Sequence, residues 1–202
     1  MDSANVNLSE NELLLVTNTD WILTKHRIIE KVYQLFGQLS ADIREQGSHL
    51  PEEVLAIPPK IYKGEQYKYL PYVLMDYPRH FKENNFFAIR FFFWWGNYFS
   101  ITLQLSGKYK QQYQNKINDA YHTLAGSDWF VCINSDEWQH DFEPGNYLPA
   151  GEMNEQEWQE LIYGHPFIKV AKKIPLQEWE KAYQFFTANY FLLCQLLAGN
   201  KP

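Results

Sequence analysis

The sequence predicts an α+β fold, an antiparallel β-sheet meander of about four to six strands packed by long N-terminal and C-terminal helices. Strand-like runs crowd residues 60–105 with short gaps, the spacing of sequential hairpins rather than of alternating strands and helices. Apolar residues at helical steps flank that region on both sides. Between them, residues 86–105 (FFAIRFFFWWGNYFSITLQL) place two aromatic and β-branched runs around Gly96-Asn97. Gly-Asn tolerates the positive φ angles of a two-residue hairpin turn.

The elements follow in order. Ser9-x-x-Glu12 ahead of residues 13–16 (LLLV) is a capping box opening a short helix. A longer helix starts near Asp20, its expected N-cap. Trp21, Ile28, Val32, Leu35, Leu39 and Ile43 form its apolar stripe, and it ends near Gln46-Gly47. Residues 51–59 connect it to strands at 60–63, 72–75, 86–95 and 98–105, with one helical turn at 52–55. A helix after Ser106-Gly107 carries Tyr109, Tyr113, Ile117, Tyr121 and Leu124 on one face. Residues 129–133 add a strand, and residues 134–151 read as a long acidic loop turning at Pro144-Gly145. Asn154-x-x-Glu157 caps a helix to about Tyr163, residues 167–173 make the last strand, and Pro175 starts a closing helix to about Ala198. The whole, residues 1–202, is expected to be one domain: a helical part at 1–50, a sheet-rich core with one helix at 58–133, and the acidic loop with C-terminal helices at 134–202.

A two-residue turn at Gly96-Asn97 would set Trp95 opposite Tyr98, Trp94 opposite Phe99, Phe92 opposite Ile101 and Arg90 opposite Leu103. One face would then hold Trp94, Phe92, Arg90 and Ala88 beside Phe99, Ile101, Leu103 and Leu105. The other would hold Trp95, Phe93, Phe91, Ile89 and Phe87 beside Tyr98, Ser100, Thr102 and Gln104, under a helix. Arg90 thus falls on a core face. A buried guanidinium cannot deprotonate and needs a partner. It either pairs internally, with Asp76 as a candidate, or offers its fork to a bound carboxylate or phosphate.

The net charge of −6 is unevenly spread. Residues 58–116 hold nine Lys/Arg against three Asp/Glu, whereas residues 117–160 hold ten Asp/Glu and no Lys/Arg. The favoured reading is two regions that attract each other across the fold; the acidic total makes nucleic acid an unlikely partner. Cys132 and Cys194 are far apart and sit in apolar runs, so both are expected as buried free thiols in a reducing compartment. No stretch reads as a signal peptide or a membrane span, so the chain is expected to be soluble and cytoplasmic.

Residues 75–81 (MDYPRHF) are the strongest site candidate: read as a loop at a strand end, they gather Asp76, Tyr77, Arg79 and His80 around Pro78. Asp76 and His80 would be the acid/base pair, with Tyr77, Arg79 and Arg90 holding an anionic ligand. The plainer reading is a turn with solvated charges. Lys60, Lys63 and Lys68 interleave with Tyr62, Tyr67, Tyr69 and Tyr72, a pattern that can stack on bases but also blunts an edge strand. Asp136, Glu137, His140 and Asp141 lack the spacing of a defined metal site and read as a solvated loop, so no metal and no cofactor is expected. His122 is expected at the surface, and His26, His49 and His165 have no motif around them. No phosphate loop, dinucleotide fingerprint, nucleophile elbow or CxxC is present. The function expected, from the aromatic-rich sheet, the split charge and the lack of catalytic spacing, is a non-catalytic binding or protein-interaction module that meets a protein partner or a second copy through aromatic surface. The alternative is an enzyme or ligand-binding protein for an anionic small molecule.

Overall fold

The computed structural model describes residues 6–47 and 50–198; His49 lies outside them. Its frame is a seven-stranded sheet of β1 (Lys60–Tyr67), β2 (Leu70–Lys82), β3 (Asn85–Trp94), β4 (Tyr98–Ser106), β5 (Phe130–Cys132), β6 (Tyr147–Pro149) and β7 (Phe167–Pro175). The order is β1-β2-β3-β4-β7-β5-β6 with every pairing antiparallel. The class is the α+β fold expected, with more strands than the four to six anticipated. The addition is β6, a three-residue strand inside what reads as acidic loop.

The hairpin between β3 and β4 differs from its expected register by one residue. Trp94 faces Tyr98, Phe93 faces Phe99, Phe91 faces Ile101 and Arg90 faces Thr102. Only Gly96 of the loop has positive φ (+72°), so the loop takes three residues, not two. A one-residue slip exchanges every partner across the faces. One face now pairs Phe87, Ile89, Phe91 and Phe93 with Leu105, Leu103, Ile101 and Phe99; the other pairs Ala88, Arg90, Phe92 and Trp94 with Gln104, Thr102, Ser100 and Tyr98. The physical reason is that the expected register would set a guanidinium against Leu103, whereas this one separates apolar from polar groups.

The apolar face is covered by helices. α2 (Thr19–Gln46) follows α1 (Glu10–Thr17), and α3 (Glu52–Leu55) precedes the sheet. α4 (Gly107–Asp119), α5 (Tyr121–Ala125), α6 (Glu155–Gly164) and α7 (Ala182–Ala198) complete the set. Ile29, Val32, Phe36, Leu39 and Ile43 of α2 pack with Phe185, Phe186, Tyr190 and Leu193 of α7 over the sheet. Phe91 sits at the centre, its ring 5.3 Å from Phe186 and 6.4 Å from Phe36. Tyr109, Tyr113 and Ile117 of α4 close the rest.

Local differences have local causes. The N-cap of α2 is Asn18, whose side chain accepts from the Asp20 N–H, not Asp20 itself. The helix expected at 109–124 is broken at Ala120, and a 3-10 turn, Leu176–Lys181, precedes α7. Gly107 starts α4 with φ +54°, where a side chain would meet the Asn84 carbonyl oxygen at 2.5 Å. Both capping boxes, at Ser9/Glu12 and Asn154/Glu157, are formed.

The acidic loop between β5 and β6 lies over the polar face. Lys68 reaches its Asp141 at 3.1 Å, and Lys169 reaches its Glu137 carbonyl at 2.9 Å. The basic and acidic regions of the sequence thus meet here. No helix among the described residues is long and apolar enough to cross a membrane.

Candidate functional site

Residues 75–81 are not a loop at a strand end. They lie inside β2, which runs on to Lys82. Pro78, in a cis bond with Tyr77, falls where the β2–β3 register shifts between Asp76 and Arg79. β1 has already ended its pairing with Lys60 opposite Asp76, so the missing N–H of Pro78 falls beyond the β1 ladder.

That geometry sends the candidate residues to different places. Asp76 stands opposite Arg90, on the polar face. His80 stands opposite Phe87, on the helix face. There its Nδ1 meets the Tyr109 hydroxyl, which donates to Glu53 Oε1 at 3.0 Å. A carboxylate only accepts, so the Tyr109 proton points to Glu53 and His80 Nδ1–H donates to Tyr109. Tyr77 is buried in the helix-side core, and Arg79 Nε donates to the Pro58 carbonyl at 3.0 Å, tying down the connector before β1.

On the polar face Arg90 forms a two-pronged pair with Asp76, Nε to Oδ1 at 2.8 Å and Nη2 to Oδ2 at 3.1 Å. Its remaining Nη1 donates to His140 Nε2 at 3.1 Å. Arginine has no acceptor, so Nε2 of His140 is bare and Nδ1 carries its proton. His140 is partly buried, its ring lying between Tyr67 and Phe92, each 5.5 Å away. Burial, with the charges of Arg90 and Lys169, holds its pKa well below 6.5.

Three more groups fix the loop. The Tyr67 hydroxyl accepts from the N–H groups of His140 (2.6 Å) and Asp141 (2.9 Å) and donates to Asp141 Oδ2 (2.9 Å). Burial pushes its own ionisation upward. Burial alone would raise the Asp141 carboxyl, but the bonds from Tyr67 and Lys68 hold it below its usual range. Gln104 donates to Glu137 Oε2 at 2.8 Å. Lys169, 1 % exposed, donates to the carbonyls of Glu137 and Gln139, and burial lowers its pKa to about 8. The centre is a closed polar clasp in which each guanidinium nitrogen of Arg90 has a partner. Its chemistry is to hold residues 137–141 on the sheet.

No group of three or more metal-ligating side chains gathers among the described residues. His140 turns toward Arg90 instead, and His122 lies at the surface beside Glu155, 3.0 Å away. Cys132 and Cys194 are buried free thiols, raised by burial, the latter to about 12.

The open apolar surface is elsewhere. α1 buries none of its residues. Val6, Leu8, Leu13, Leu14, Leu15, Val16, Trp21, Ile22 and Leu23 are between 47 % and 84 % exposed. α2 begins to bury residues only at Ile29, although Lys25 already ion-pairs with Glu65 of β1, so α1 and the first turn of α2 form an exposed arm. Trp21, expected in the core stripe of α2, is 58 % exposed. The signal was legible in residues 13–16. Four consecutive apolar residues take positions around most of a helix, and one core cannot cover them all. The sheet aromatics, by contrast, are buried on both faces, Phe91 at 0 % and Phe92 at 1 %.

Compared with known protein families, curated proteins and solved structures, the chain matches none.

Proposed function

We propose that this chain is a non-catalytic protein-interaction module of the cytoplasm that docks through its N-terminal arm. The observation that carries the reading is the cluster of nine exposed large apolar side chains on residues 6–23, none of them covered by the fold. A contiguous apolar surface of that size on a folded chain marks a contact site. Two lone buried thiols support a reducing compartment.

The test is quantitative co-purification from the protein's own cells with wild type and a Leu14→Glu/Ile22→Glu variant, a differently tagged copy of the chain being present. Wild type is expected to retain a protein, this chain included, that the variant loses. An identical catch from both would sink the reading.

The competing reading, an anionic small molecule held by Arg79 and Arg90 with Asp76 and His80 as acid and base, has demanding requirements. Arg90 would have to leave both Asp76 and His140, and two residues on opposite faces of the sheet would have to act together. The interaction reading requires no such rearrangement.

A further inference from the structure

We propose that the occupant of the arm is a second copy of this chain, the two arms packing antiparallel about a twofold axis. This rests on the arm being the docking element and adds what docks there. The arm has two apolar runs, residues 13–16 and 21–23, separated by Thr17, the non-helical Asn18, Thr19 and Asp20. A twofold passing through that polar junction lays each run of one copy on the other run of its mate, Val16 against Trp21 and Leu14 against Leu23. Such an isologous contact is self-complementary by symmetry.

Charge agrees with that direction. The outer end of the arm is acidic, with Glu10 and Glu12; the inner end is basic on balance, Lys25, Arg27 and Lys31 outnumbering Glu30, and with Lys25 already paired with Glu65 of β1, Arg27 is the cation nearest the arm that is left for a mate. Antiparallel arms bring acid to base, whereas parallel arms would bring like to like. Arg27 is exposed and bonds only the Thr24 hydroxyl, at 2.7 Å, with no carboxylate partner among the described residues. The size also fits. Nine large apolar residues at roughly half exposure or more offer on the order of 800–1,000 Å², near the ~800 Å² each partner contributes to a standard interface. A helix apolar around most of its girth needs cover on more than one side; a crossing α1 and the start of the mate's α2 supply two. A lipid surface fits poorly, because a membrane-lying helix carries Lys/Arg on its polar face and Glu10, Glu12 and Asp20 would face anionic headgroups.

Sedimentation equilibrium of the full chain tests this. Wild type is expected at twice the 24.1 kDa chain mass, and Leu14→Glu/Ile22→Glu as a monomer whose thermal unfolding matches that of wild type once wild type is diluted to monomer. Glu10→Lys and Arg27→Glu should each weaken the dimer on the order of ten-fold, and the two together should restore it. A wild type that stays monomeric, a dimer that survives Leu14→Glu/Ile22→Glu, or a double reversal that fails to restore association overturns the proposal. If wild type is monomeric yet retains an unlike protein that the variant loses, the twofold is wrong and the docking reading stands. If it is monomeric and retains nothing, or floats with anionic vesicles instead, both are wrong.

Discussion

Arg90 and Asp76 face each other across β3 and β2 and share both prongs of an ion pair, each residue 4 % exposed. The pair is buried beneath the loop at residues 137–141, so its desolvation is offset only while both partners stay. Arg90→Met strands a carboxylate under that loop and is expected to cost about 3–5 kcal/mol in urea unfolding. Arg90→Met with Asp76→Leu removes both charges and should recover most of that loss. A single variant as stable as wild type would mean that the pair contributes nothing.

Tyr67 is the peg of the clasp. Tyr67→Phe keeps the ring and leaves the N–H groups of His140 and Asp141 without an acceptor, a cost of about 1–3 kcal/mol. Amide hydrogen exchange should accelerate at His140 and Asp141 while the β3–β4 ladder keeps its protection. Uniform acceleration across the sheet would show instead that the loop and the core open together.

How far the sequence could be read follows from where its signals were local. Capping boxes and the strand runs depend on neighbours in sequence, and they formed; of the α2 stripe, Val32, Leu39 and Ile43 are buried while Trp21 is exposed. The register of the β3–β4 hairpin did not follow from Gly96-Asn97, because turn preference competed with the cost of setting Arg90 against Leu103. Asp76 is legible as Arg90's partner, because the two lie on adjacent strand runs. His140, fifty residues further along the chain, and Lys169 joined them through a loop whose path no periodicity encodes. Pro78 led to an early end for β2, since proline is compatible with a strand only at a bulge or edge, and β1's length decides where that edge lies.

The clasp makes stability depend on pH in two windows. His140 has a folded pKa below its ordinary 6.5. The unfolded chain then binds more protons as pH falls below about 6.5, and stability present above that value is lost on acidification. His140→Gln should flatten that limb. Lys169 titrates near 8 when folded against 10.5 ordinarily. Between those values the unfolded chain again holds more protons, so this residue's contribution rises with pH. The stability of wild type minus that of Lys169→Met should climb from about pH 8 to 10.5, and a flat difference would refute the shift.

The arm and the core predict opposite responses to equally drastic substitutions. Phe91 is 0 % exposed and rests on Phe36, Phe186 and Tyr190. Phe91→Ala removes a ring from a close-packed centre that cannot collapse to fill the space, so it should cost about 3–5 kcal/mol. Leu14, 68 % exposed on a helix that buries nothing, belongs to no core cluster, so glutamate there removes no core packing. In dilute solution, where association does not add to the unfolding free energy, Leu14→Glu should fall within about 0.5 kcal/mol of wild type. At high concentration the two should diverge, because binding of the folded state alone stabilises by mass action. Calorimetry at both concentrations separates the cases. Divergence only when concentrated assigns Leu14 to a contact between chains, whereas a loss that is already present in dilute solution assigns it to the fold.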